Sequence, residues 1–270
     1  MGDLVLDVGM HNGDDTAYYL ARGYDVVAVE ANPRLCASAE ERFAREIGAG
    51  RLSVRNVGIA ENSGELEFWV SDQSEWSSFH RENATKGGAH ASAIPVATIR
   101  FADLLSELPT PIYVKIDIEM NDPLCLRELG RCNSVPRYVS FEGHPGAAAD
   151  IQFLARLGYR SFKCVRQNDW REMVPRNLVW HRGMRKALVR IRPRSQMIAT
   201  GLQRFHYHGN AVQGWRFAAG SSGPLARELP GRWLACGEVL DVWQYLVAVD
   251  RELDAAGLGE WFDIHAAVEA

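Results

Sequence analysis

The feature that most constrains this chain is an alternation, kept up over the first 165 residues, of short β-branched apolar runs with stretches of helical character. Leu4-Val5-Leu6-Asp7-Val8-Gly9 and residues 25–30, 52–57, 112–118, 138–142 and 159–165 read as strands. Apolar runs this continuous suit strands buried on both faces of a parallel sheet. Helices are expected over about residues 14–22, 33–47 (behind an Asn32 cap with Pro33 in the first turn), 101–108, 123–129 and 147–157. Residues 65–70 alternate as an edge or antiparallel strand does, and 94–99 form a further short strand. The polar, Gly-containing stretch 71–92 reads as a loop near the active face or a lid. Right-handed crossovers lay helices on both faces of such a sheet, so the expected class is α/β, doubly wound and mostly parallel.

Beyond Arg166 the regularity is lost, and the chain is expected to divide into a core of residues 1–166 and an Arg-rich and helical extension, 167–270, that caps or completes it. Residues 234–253 look helical, with Leu240, Trp243, Leu246 and Val247 on one apolar stripe. The net charge of −4 hides an asymmetry. From Met173 to Arg227 there is no Asp or Glu, while Arg176, Arg182, Arg185, Lys186, Arg190, Arg192, Arg194, Arg204, Arg216 and Arg227 are cationic. Such a block is either a solvated face or a collector for an anionic partner: phosphate, acidic glycan, nucleic acid or anionic lipid. No apolar run approaches the roughly 20 residues of a membrane helix, so no span and a cytoplasmic location are expected. The five cysteines form no CxxC pair, which suggests neither a disulfide framework nor a zinc ribbon.

The stretch Asp7-Val8-Gly9-Met10-His11-Asn12-Gly13-Asp14-Asp15-Thr16 turns a strand tightly into a helix. Gly9 and Gly13 let backbone approach a ligand, and the helix start presents unpaired N–H groups. The dinucleotide fingerprint Gly-x-Gly-x-x-Gly is not met, and Asp14 and Asp15 would repel a pyrophosphate. An acidic loop suits a cofactor carrying an ammonium and a sulfonium, which favours S-adenosylmethionine over NAD. Glu30, ending the second strand, is placed to accept two ribose hydroxyls. The candidate cofactor residues are Asp7, Gly9, His11, Asn12, Gly13, Asp15, Thr16, Glu30, Ala31, Asn32, Asn56, Val57, Gly58 and Asp117.

Five segments together resemble the FkbM-type class I S-adenosylmethionine-dependent methyltransferases: Asp7-Val-Gly9-Met-His-Asn-Gly13, Val29-Glu30-Ala31-Asn32-Pro33, Gly58-Ile59-Ala60, Ser77-Ser78 and Val114-Lys115-Ile116-Asp117-Ile118-Glu119. The last is the most specific. The family typically reads Lys-Ile-Asp-Val-Glu-Gly-x-Glu there, and this chain departs from it at Met120, in place of Gly, and Asp122, in place of Glu. The resemblance covers residues 1–165. It implies a seven-strand Rossmann-like methyltransferase sheet, the cofactor at the carboxyl ends of the strands, and O-methylation. By the same resemblance Asp7, Gly9 and Gly13 hold the methionine part, Glu30 the ribose, and residues 56–58 lie near adenine.

Methyl transfer from a sulfonium is an in-line displacement that gains from holding the reactants collinear, and a hydroxyl acceptor also needs its proton removed. Asp117 and Glu142 end two central strands and His144 follows, so these three are the candidate catalytic residues. A divalent metal is not expected; the alternative is a cation shared by the same three side chains. His206-Tyr207-His208 has the spacing that sets two imidazoles on one face of a strand. The leading function is O-methylation of a hydroxyl on a saccharide, glycolipid or polyketide-like small molecule, the Arg-rich segment collecting an anionic portion. The alternatives are a nucleic-acid methyltransferase using residues 173–227, for which the usual base-methylation motifs are missing, and a catalytically silent cofactor-binding module.

Overall fold

The structure is a computed structural model that describes the chain except residues 1, 168, 193, 207–210, 213, 218–220, 254–259 and 270 and the side chains of 196 and 203–206. It divides into two compact units, Met1–Phe141 and Glu142–Ala270.

The first unit runs β1 (Leu4–Val8), α1 (Asp14–Ala21), β2 (Asp25–Glu30), α2 (Pro33–Arg42), α3 (Ala44–Gly48), β3 (Leu52–Asn56), β4 (Gly58–Ile59), β5 (Gly64–Ser71), α4 (Arg81–Ala84), β6 (Ala91–Ile99), α5 (Phe101–Ser106), β7 (Tyr113–Ile116), α6 (Asp122–Leu129) and β8 (Tyr138–Glu142), whose last residue opens the second unit. Five of the strands lie in the order β8-β7-β1-β2-β3, parallel throughout. Val5, Leu6, Val8, Tyr113, Val114, Ile116, Val139 and Phe141 are buried, as strands covered on both faces require. The strand order reverses at β1, which lies between β2 and β7, and a ligand crevice is expected outside the carboxyl ends of strands at such a switch point. A separate three-stranded sheet has β6 parallel to β4 and antiparallel to β5.

The Asn32 side chain accepts from Arg34 N at 3.0 Å to cap α2, with Pro33 in its first turn. The single helix expected over 33–47 is divided at Phe43, which leaves the helical region at φ −111°, ψ 24°. That break sets the buried Phe43 ring against Gly13 in the β1–α1 turn.

The second unit runs α7 (Ala147–Arg156), β9 (Ser161–Arg166), β10 (Arg171–Glu172), α8 (Pro175–Ile191), α9 (Gln196–His206), β11 (Ala211–Val212), β12 (Trp215–Arg216), α10 (Cys236–Leu253) and β13 (Phe262–Ala267). β9 lies between β10 and β13 and is antiparallel to both. Strand number and direction therefore depart from the expected seven-strand, mostly parallel sheet: five parallel strands stand in the first unit and three antiparallel ones in the second.

Beyond Arg166, where regularity was expected to end, α8 runs for 17 residues. Its buried stripe is Leu178, His181, Arg185 and Leu188, so two of the four inward positions are ionisable and an apolar-period reading passes over them. β13 was hidden in the same way, because Asp263 and His265 are fully buried within it. On α10 the buried side chains are Val239, Val242, Trp243, Leu246, Val249 and Leu253, while Leu240 and Val247 are half-buried. The His206 backbone ends α9 instead of standing in a strand, and Tyr207 and His208 lie outside the described residues. Among the described residues no helix is long and apolar enough to cross a membrane.

Candidate functional site

Three residues of the β1–α1 turn take left-handed backbone conformations: Gly9 at φ 84°, His11 at 52° and Gly13 at 79°. Gly9 is required for space as well as conformation, since a Cβ there would lie 1.8 Å from the Asp117 carbonyl oxygen. The backbone N–H groups of Gly9 and Met10 both donate to Val29 O, at 2.9 and 3.0 Å, fixing the turn to the end of β2. Asn12 Oδ1 accepts from Asp14 N at 3.0 Å, and Arg42 Nη1 reaches Asn12 O and Asp14 Oδ1 at 2.8 and 2.9 Å.

Asp7 and Lys115 are register partners on β1 and β7. Lys115 Nζ donates to Gly9 O at 2.6 Å and lies 3.2 Å from Asp7, 3.7 Å from Asp117 and 3.9 Å from Asp15. The other Asp7 oxygen accepts from Thr16 Oγ1 at 2.6 Å. Burial pulls the Lys115 ammonium down, and the three carboxylates outweigh that and hold it well above the usual lysine range. Three carboxylates thus surround one ammonium. Side-chain exposure is 0% for Asp7, 3% for Lys115 and 7% for Asp15 but 22% for Asp117, so Asp117 is the most exposed member of the cluster.

Glu30 closes the β2 side of the turn. Its Oε2 accepts from His11 N at 2.9 Å and its Oε1 from Asn32 N at 2.8 Å. Burial raises its pKa, opposed by those two hydrogen bonds. Each oxygen keeps a further lone pair for a second donor. Asn56 Nδ2 donates to the carbonyls of Glu30 and Ala31 at 3.0 and 3.1 Å, and Val57 N donates to Glu30 O at 3.1 Å, tying the ends of β2 and β3 together.

The segment expected to be a loop or lid is built from short helical turns and fastened over these loops. His11 Nε2 and Ser74 Oγ are 2.8 Å apart. Ser78 Oγ donates to Glu119 O at 3.0 Å, and Asn83 Nδ2 donates to Glu119 Oε2 at 2.9 Å. His80 Nε2 is 3.1 Å from Asn121 Oδ1, and the Phe79 ring fills the space a Cβ on Gly58 would need. Glu119 and Met120, beyond β7, are left-handed at φ 45° and 79°, the latter where the related motif has glycine. Met120 is exposed.

Of the candidate catalytic residues, Asp117 belongs to the first unit and Glu142 and His144 to the second. Both His144 ring nitrogens are engaged. Nδ1 accepts from Gly146 N at 3.1 Å, and Nε2 lies 2.8 Å from Asp150 Oδ2. With Nδ1 accepting, the proton belongs on Nε2. Among the described residues no group of three His, Cys, Asp or Glu side chains could hold a metal ion.

The FkbM methyltransferase domain matches residues 7–161, a span that begins at Asp7 and takes in the β1–α1 turn, Glu30, the covering segment and Asp117. The chain belongs to the FkbM methyltransferase family. No curated protein matches the sequence. A solved FkbM methyltransferase from Methylobacillus flagellatus KT aligns at 15% identity and TM-score 0.34 over 52% of this chain, which spans 32% of that structure's length. A phosphoethanolamine N-methyltransferase 2 from Haemonchus contortus, solved with S-adenosyl-L-methionine, aligns at 13% identity and TM-score 0.37, covering 99% of this chain and 49% of that one.

Within the FkbM domain, reading the residues singly did not single out Ser74, His80 and Asn83, which lie in a polar stretch without period. The Ser77-Ser78 pair was the available signal. Ser78 binds the Glu119 carbonyl, and Ser77 Oγ accepts from Ser71 N at 3.1 Å.

Proposed function

We propose that this FkbM-family chain is an S-adenosylmethionine-dependent O-methyltransferase acting on a hydroxyl of a saccharide, glycolipid or polyketide-like small molecule. The observation that carries the reading is the gathering of three carboxylates, Asp7, Asp15 and Asp117, within 4 Å of Lys115 at the Gly9 turn. A cationic ligand is favoured there and a diphosphate opposed. The residues present fit the cofactor: the turn has no room for a Cβ at Gly9 beneath the crevice, and Glu30 keeps acceptor capacity on both oxygens.

S-adenosylmethionine supplies an electrophilic methyl group when bound. Gly9, His11, Asn12 and Gly13 shape the turn that receives its amino-acid end, with Asp15 and Thr16 behind them. Glu30 takes the ribose hydroxyls, and Ala31, Asn32, Asn56, Val57 and Gly58 border the base. Asp7 acts from below: its carboxylate pairs with Lys115, which donates to the Gly9 carbonyl, and Thr16 donates to the other carboxylate oxygen.

Asp117 is the residue we assign as general base, because it is the most exposed carboxylate of the buried cluster and lies at the end of β7. Glu142 and His144 are kept as further candidates for catalysis. The functional core is assigned to residues 1–166, with 167–270 as its extension, and the family match ending at residue 161 supports that division. A nucleic-acid substrate is disfavoured because several cations of the basic segment are taken up internally: Arg176 by Glu172, Arg182 and Lys186 by Glu252, and Arg185 by Asp250 and Glu260.

Thermal shift with S-adenosylmethionine, S-adenosylhomocysteine and NAD tests the cofactor. Ligand at about 100 times its dissociation constant adds roughly 2.7 kcal/mol of stability. A shift with both adenosyl ligands is expected, and a shift with NAD alone overturns the proposal. Transfer of labelled methyl to a panel of hydroxylated acceptors, abolished in Asp117→Asn, tests the reaction and the base.

A further inference from the structure

The turn between α8 and α9 gathers two kinds of exposed side chain within nine residues. Arg190, Arg192 and Arg194 are exposed, and so are Met197 and Ile198, at 82% and 54%. α9 packs against α8, so the turn forms the tip of a helical hairpin. Val179, 77% exposed, lies three helical turns before Arg190 on the same face of α8. Large apolar side chains this exposed cost solvation in water, and the tip carries two side by side with arginines before them.

The charge on the hairpin is unevenly matched. Arg182, Arg185 and Lys186, nearer the middle of α8, meet Asp250, Glu252 and Glu260. Neither Arg190 nor Arg194 has a carboxylate partner among the described residues, and residues 173–227 contain no Asp or Glu. Met197 and Ile198 are the residue types that enter the acyl boundary of a bilayer, and flanking arginines sit at its phosphates.

We propose that the tip of the α8–α9 hairpin seats this protein on an anionic lipid bilayer, with Met197 and Ile198 inserted and Arg190 and Arg194 on the headgroups. Nucleic acid would use the arginines but leave the two apolar side chains without a partner. A second copy of the same tip would bring like charges together. The inference is independent of the methyl-transfer reading, because no residue of the cofactor site enters it.

Flotation of the full chain with vesicles tests it. Binding to phosphatidylcholine–phosphatidylglycerol vesicles (three to one), absent with pure phosphatidylcholine and weakened by added salt, is expected. The double variant R190Q/R194Q should lower the partition coefficient about thirtyfold, from the usual gain per basic residue near an anionic surface. M197S/I198S should also lower it while leaving the salt dependence in place. All four side chains are exposed or carry no internal ion pair, so melting temperatures should match the parent and loss of binding is not loss of fold. The proposal is overturned if the parent ignores the anionic vesicles at low salt, if both double variants bind like the parent, if double-stranded DNA competes the chain off the vesicles, or if M197S/I198S instead dissolves a dimer.

Discussion

Lys115 Nζ donates to the carbonyl oxygen of Gly9 at 2.6 Å, joining the motif strand β7 to the β1–α1 turn through a side chain buried among Asp7, Asp15 and Asp117. One ammonium holds a backbone carbonyl and balances part of a carboxylate cluster, so the shape of the turn and the charge beneath it meet in the same residue.

Replacing that ammonium by an apolar chain of similar length should damage both. Lys115→Met takes from the fully buried Asp7 carboxylate the ammonium 3.2 Å away, and breaking such a pair costs about 3–5 kcal/mol. Urea denaturation should show that loss, and Asp7→Asn added to Lys115→Met should restore part of it. Equal stability of Lys115→Met and the parent would refute the assigned role.

Gly9→Ala meets two obstacles at once, a φ of 84° and a Cβ 1.8 Å from Asp117 O. The turn or β7 must move to admit it. Calorimetric titration should detect no S-adenosylmethionine binding even if the far-ultraviolet circular dichroism stays native. Binding at parental affinity would show that the turn is not the cofactor cradle.

Met120 stands at φ 79° with its side chain exposed. A left-handed residue with a Cβ costs about 1–2 kcal/mol, and glycine gives back roughly 0.5–1 kcal/mol through its freer unfolded chain. Met120→Gly should therefore raise stability by about 0.5–1 kcal/mol, whereas Met120→Ala should not. Thermal melts of the pair distinguish strain relief from loss of an exposed side chain.

The segment over the site can be loosened at one point. Gly58→Ala pushes a methyl into the Phe79 ring, which must swing away. Limited proteolysis within residues 74–88 should become several-fold faster, and the KM for S-adenosylmethionine should rise more than kcat falls. Unchanged cleavage would mean that Phe79 does not fasten the segment.

His265 makes the second unit acid-sensitive. Burial, with the Lys163 charge adding, lowers its pKa from 6.5 to about 3. Below pH 6.5 the unfolded chain takes up a proton that the folded chain refuses, so stability is full above pH 6.5 and falls as the pH drops toward 3. The loss from this group is about 2 kcal/mol between pH 6.5 and 5. Chemical denaturation at the two pH values should show it in the parent, and His265→Leu should flatten the difference. A parental slope in that variant would move the sensitivity elsewhere.

Much of the first unit was legible because its signals are local. Apolar runs marked β1, β2, β7 and β8, Asn32 and Pro33 marked the start of α2, and the motif residues picked out Asp7, Gly9, Glu30 and Asp117, which the fold brings to the carboxyl ends of β1, β2 and β7. The break at Phe43 was not, because it goes with a ring packed on Gly13, thirty residues earlier in the chain.

The sequence by itself determined the βα periodicity, the glycine turn, the carboxylates around it and the family to which they belong, since each is written in neighbouring residues or a short motif. Only tertiary structure decided where the charges go. It buried Lys115 among three aspartates, matched Arg182, Arg185 and Lys186 with acids some sixty-five to seventy-five residues away, and placed His265 in a buried strand. The physical reason is that a charge can be buried only where its partners or its neutral form make that tolerable, and such partners are chosen by the fold, across distances in sequence that no local pattern records.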